Sequence, residues 1–175
     1  SQEKLEYLLR YCGNRPVIFS SDYENMLSPE ELDRAAVHAL EQISGIQSFR
    51  LTNRIRTNAE ISSFIQNMMC LPERKKGRHF PHVTVMYAND DREADVLLSD
   101  AQHQGYQVIL NEAEPAICAD RLAMVLDQRY FYDRQNYLRS DDRSVRRLFH
   151  QLNGAKEELL LVVKQNEPLY AVLLD

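Results

Sequence analysis

The chain has 175 residues, of which 44% are hydrophobic and 27% charged, and its formal net charge is −5. This is enough apolar material to bury the core of one domain with an appendage; it excludes a disordered chain, and no apolar run reaches the ~18 residues that span a membrane. The glycines fall at positions 13, 45, 77, 105 and 154, too far apart for a phosphate-cradling GxxxxGK[ST] loop or a GxGxxG dinucleotide fingerprint.

Residues 3–12 are predicted to be helical and to end at Gly13-Asn14, and PVIFS (16–20) follows as a short apolar strand. Ser28-Pro29-Glu30-Glu31 is a helix start, with Ser28 as cap, Pro29 in the first turn and Glu31 closing a capping box. That helix carries Leu32, Ala36, Ala39, Leu40 and Ile43 on one face and ends near Gly45. SFRLT (48–52) reads as a strand. Thr57-Asn58-Ala59-Glu60 then opens a capped helix with Ile61, Phe64, Ile65, Met68 and Met69 facing inward. After the basic loop PERKKGRHFP (72–81), HVTVMYA (82–88) alternates as a strand does. Asp90-Asp91 leads into a helix with Ala94, Leu97, Leu98 and Ala101 inside and Gly105 at its end. YQVIL (106–110), LAMVLD (122–127) and ELLLVV (158–163) are strands, the last two of the continuous apolar kind buried on both faces. Helices are expected over 144–152 and 167–174. The alternation predicts a three-layer α/β fold, a mostly parallel sheet with helices on both faces. The faint boundary near 20–28 divides the chain into residues 1–27, the end of a preceding domain, and a main domain over 28–175. Because the chain opens at Ser1 inside a helical pattern, it reads as a piece of a longer protein.

Cys12, Cys70 and Cys118 are an odd number with wide spacing, so a disulfide framework and a CxxC metal motif are both unsupported. Cys70 and Cys118 read as buried thiols, and the setting as reducing and cytoplasmic. No metal site is expected. His79 and His82 lack a third ligand nearby, and Asp90, Asp91, Glu93 and Asp95 suit the first turn of a helix, where the dipole favours acids. Asp22 would be the early acid of a receiver-like domain, a weaker reading of the same βα order. Arg74, Lys75, Lys76 and Arg78 form a basic loop that can meet the phosphates of single-stranded nucleic acid. A second basic stretch includes Arg129, Arg134, Arg139, Arg143, Arg146 and Arg147. The net charge of −5 speaks against a self-sufficient nucleic-acid grip. Arg56, between a strand and a capped helix in LTNRIRTNAEISSFI (51–65), is placed by sequence at the carboxyl end of a strand. There it either reaches a phosphate or pairs with a carboxylate such as Glu60.

That segment resembles motif IV of superfamily 1 helicases, and the resemblance runs along nearly the whole chain. It is nearest to the Schlafen-type DNA/RNA helicase-like domain of bacterial P-loop proteins. VIFSSDYENMLSPEE (17–31) is similar to the family's motif III region, LAMVLDQRYFYD (122–133) to its apolar strand and Phe-Tyr-Asp segment, and LFHQLNGAKEELLLVVKQNEPLYAVLL (148–174) to its closing helix, strand and helix. The resemblance implies the second RecA-like domain of a two-domain motor. Such a domain would bind no cofactor alone, while an upstream P-loop domain of the same parent holds ATP and Mg²⁺. Arg56 would then act across the cleft as an arginine finger. The departures imply a degenerate copy. Asn25 stands for a glutamine, AICAD (116–120) keeps only Asp120 of motif V, and in NGAKEE (153–158) Gly154 and Lys156 replace the arginines of motif VI. The alternative is a pseudo-ATPase interaction module without motor activity.

Overall fold

The computed structural model describes residues 2–13, 15, 18, 58–71, 79–110, 116–140 and 142–174. The chain divides into two compact units, Ser1–Asn53 and Arg54–Asp175. In the first, helix α1 (Gln2–Cys12) is closed by Gly13, whose φ of +53° suits a residue without a Cβ. Its Tyr7, Leu8 and Tyr11 are exposed. The loop at 20–28, the helix expected from Ser28 and the strand expected at 48–52 lie outside the described residues, as does the strand at 16–20 apart from Ile18.

The second unit is built on a four-stranded parallel sheet in the order β1 (Val83–Ala88), β6 (Ala155–Lys164), β3 (Ala119–Leu126), β2 (Gln107–Ile109). The other elements are α2 (Ala59–Met69), α3 (Asp91–His103), the two-stranded ribbon β4 (Phe131–Tyr132) and β5 (Leu138–Arg139), α4 (Asp142–Leu152) and α5 (Glu167–Leu174). The crossover through α3 runs from β1 to β2, and that through α4 runs back from β3 to β6. Right-handed crossovers in opposite directions put their helices on opposite faces. The fold is therefore the three-layer α/β arrangement read from the alternation.

The apolar runs lie where continuous burial demands. Leu159, Leu161, Val162 and Val163 in β6 are almost wholly inaccessible, because central parallel strands are covered on both sides. Under α3, Ala94, Leu98 and Ala101 pack on Ala88, Ala123, Leu160 and Val162. The small residues let the helix approach closely. On α2, Ile61, Phe64, Ile65, Met68 and Met69 are buried, each contributing about 1.5–3 kcal/mol relative to exposure. The cap of α2 is Asn58, whose side chain accepts from Glu60 N at 2.8 Å.

The acids at the start of α3 act as helix-start residues. Asp90 Oδ1 accepts from Glu93 N at 2.8 Å, and Glu93 reaches back to Asn89 N at 2.7 Å. Lys164 Nζ donates to Asp91 Oδ1 at 2.5 Å.

The ribbon β4–β5 was not foreseen. Its turn is organised by Asp133, which accepts from Gln135 N, Tyr137 N and Arg139 Nε, with Asn136 at φ +63°. Burial pushes the Asp133 carboxyl up, but those donors and the Arg139 charge together hold it below the usual range. Just before the ribbon Tyr130 is buried, whereas Phe131 in β4 is exposed. In the second basic stretch Arg129 pairs with Asp127 and Arg139 with Asp133.

Asn166 joins the carboxyl ends of β3 and β6. It is 8% exposed; its Nδ2 donates to the carbonyls of Asp127 and Tyr130, and its Oδ1 accepts from Leu169 N in the first turn of α5. Asn166→Ala removes the bonds to Tyr130 O and Leu169 N, while Asp127 O keeps the bond from Tyr130 N at 3.3 Å, so the unfolding free energy should fall by about 1–3 kcal/mol. Urea denaturation measures it, and a midpoint equal to wild type would show that water replaces the side chain.

Candidate functional site

The amino ends of β3 and β6 bring together three segments that are remote in sequence. Asn58 N, two residues after Arg56, donates to the carbonyl of Lys156 at 3.0 Å. Lys156 Nζ lies 3.2 Å from Asp120 Oδ1. Gly154 O accepts from Ala119 N at 3.0 Å, just before the bulge between Ala119 and Arg121 in the pairing of β3 with β6. Asp120 and Lys156, proposed from unrelated stretches of sequence, are thus direct partners across two neighbouring strands.

Gly154 is required by a close approach. A Cβ built there would stand 2.0 Å from Ile117 O and 3.0 Å from Gln151 O, both backbone atoms. No side chain fits at the position where the resemblance expects the first arginine of motif VI.

Around these residues lies an open cleft of about 460 Å³, lined by Gln107, Cys118, Asp120, Arg121, Lys156 and Glu157 among others. Cys118 is exposed here, correcting the expectation of a buried thiol. It precedes the first residue of β3, at the sheet edge instead of between its layers. Cys70, at the end of α2, is half-buried. Asp120 keeps the Lys156 ammonium above the usual lysine range, through its hydrogen bond and then its charge. Arg121 is held as well: its guanidinium donates to Glu158 Oε1 at 3.1 Å and to Gln104 O at 3.0 Å, and it lies over the Tyr106 ring. Both described cations, Lys156 and Arg121, are already held by carboxylates.

Beside the cleft, Tyr106 OH donates to Glu158 Oε2 at 2.6 Å. Burial, then this hydrogen bond and the Glu158 charge, push the phenol up to about 12, against the pull of Arg121. A folded-state pKa above the ordinary 10.0 favours the neutral phenol, so the stability it contributes holds below pH 10.0 and is lost as pH rises towards about 12. In an absorbance titration Tyr106 should contribute a late-ionising component, and Tyr106→Phe should remove it. A titration unaltered by Tyr106→Phe would show that Tyr106 is not the late group.

Arg56, Arg74, Lys75, Lys76, Arg78, Asp22 and Asn25 lie outside the described residues. Sequence placed Arg56 at the carboxyl end of a strand, yet its neighbour Asn58 is fastened at the amino end of β6. Among the described residues no group of three or more His, Cys, Asp and Glu side chains is placed to hold a metal. His82 Nε2 lies 3.7 Å from Glu60 Oε2. Sequence reasoning missed the Tyr106–Glu158–Arg121 cluster. Each member falls at the edge of a predicted strand, and only strand order makes them neighbours. Among the described residues no helix is long and apolar enough to cross a membrane. Comparison with protein-family models, curated proteins and solved structures finds no match for this chain.

Proposed function

We propose that residues 28–175 form the second RecA-like lobe of a bacterial, cytoplasmic, helicase-like ATPase dependent on nucleic acid. It is not catalytic alone. ATP and Mg²⁺ would be held by a P-loop domain of a longer parent, and Arg56 would approach the phosphoryl group from this lobe. One observation carries the reading: Asn58, in the segment that resembles motif IV, meets Lys156 and Asp120, in the degenerate stretches aligned to motifs VI and V, through Asn58–Lys156 and Lys156–Asp120. The basic run Arg74, Lys75, Lys76 and Arg78 is the part that would touch single-stranded nucleic acid. The test is ATP turnover by the parent carrying Arg56→Ala, which should fall far more than ATP affinity; unchanged turnover overturns the reading.

The close approach at Gly154 favours a second reading, in which the lobe is a pseudo-ATPase docking module. Arg56→Ala would then leave both turnover and assembly with the parent domain unaltered.

A further inference from the structure

The same edge carries an inference about what it refuses. Two short stretches, 119–121 and 156–158, present the carboxylates of Asp120, Glu157 and Glu158 against the cations of Arg121 and Lys156. Arg121 is held by Glu158, by Gln104 O and by the Tyr106 ring, a set that fastens three elements together. Lys156 pairs with Asp120, and both side chains are well exposed, at 48% and 68%. The two pairs therefore differ in kind. The first is woven into the sheet edge, whereas the second is an exposed carboxylate resting on a half-exposed ammonium at the mouth of an open cleft.

We infer that Asp120 is an internal competitor for anions: its carboxylate occupies the Lys156 ammonium and keeps the cleft from taking a polyphosphate unaided. This rests on the proposed function, since it concerns how that site is regulated. The lobe contacts phosphate only when a partner domain presents one. Asp120 acts in two ways at once. It neutralises Lys156, and it adds a like charge where a phosphate oxygen would arrive. An exposed pair is worth little to folding, so replacing the carboxylate alters the charge of the cleft without endangering the fold.

The experiment uses the 175-residue chain and inorganic tripolyphosphate at low salt, with binding read by calorimetry and by amide shifts. Wild type should bind weakly; Asp120→Asn should bind at least about tenfold more tightly. Asp120→Asn combined with Lys156→Gln should return to the wild-type affinity. Circular dichroism and the amide pattern establish that each variant is folded. Wild type binding as tightly as Asp120→Asn overturns the inference. So does a double variant that keeps the gain, because the effect would then be the loss of repulsion from the Asp120 carboxylate and not the release of Lys156. No turnover is involved, so failure here is separate from failure of the Arg56 experiment.

Discussion

Gly154→Arg, which restores the arginine that the helicase resemblance expects, should destabilise the second unit and repair nothing. The Cβ alone would lie 2.0 Å from Ile117 O, and that atom cannot swing aside as a side chain can. Ile117 leads into β3, whose first residue is fastened by Ala119 N to Gly154 O, while Gly154 N donates to Gln151 O at 2.9 Å. Admitting a Cβ therefore separates the starts of β3 and β6 and breaks the turn after α4. Overpacking of this kind costs about 1–3 kcal/mol or more, and a charged side chain next to the buried turn adds to it. Gly154→Ala is the cleaner measurement, because it tests the close approach without the charge. Its denaturation midpoint should fall clearly; a midpoint equal to wild type would mean the strand starts can part, and the exclusion of arginine would no longer hold.

On the proposed helicase-like reading, Arg56→Ala in a longer parent should lower ATP turnover on the order of 10³-fold, the lower range for removing an arginine finger. That is about 4 kcal/mol of transition-state stabilisation. ATP affinity should change little, because the binding loop would belong to the other domain. Lys156→Ala is the control. Its ammonium is already held by Asp120, and it lacks the planar fork, so turnover should change by less than about tenfold. Equal losses in both variants would mean that the cleft works by summed positive charge, and the finger assignment to Arg56 would fall.

Much of the second unit was legible in the sequence, and the reasons differ by element. The stretch ELLLVV could be read as a central strand because only burial on both faces sustains an unbroken apolar run, and β6 lies between β1 and β3. The helix opening at Asp90 could be read from its cap and acidic first turn. The ribbon β4–β5 could not, since strands of two residues carry no periodicity. Cys118 was misjudged because apolar neighbours in sequence do not say whether a residue stands between layers or on the rim.

The candidate site divides along the same line. Local sequence by itself determined the element types, the alternation that makes a three-layer α/β fold, and the absence of a phosphate-cradling glycine loop. Each follows from interactions within a few residues: periodic burial, capping and glycine spacing. Only the tertiary structure decided that Asp120 faces Lys156, that Asn58 is fastened to Lys156, and that Gly154 lies against Ile117. Those contacts depend on strand order and register, which are set by how all four strands share one buried core. Two residues 36 positions apart become partners only once β3 and β6 lie side by side.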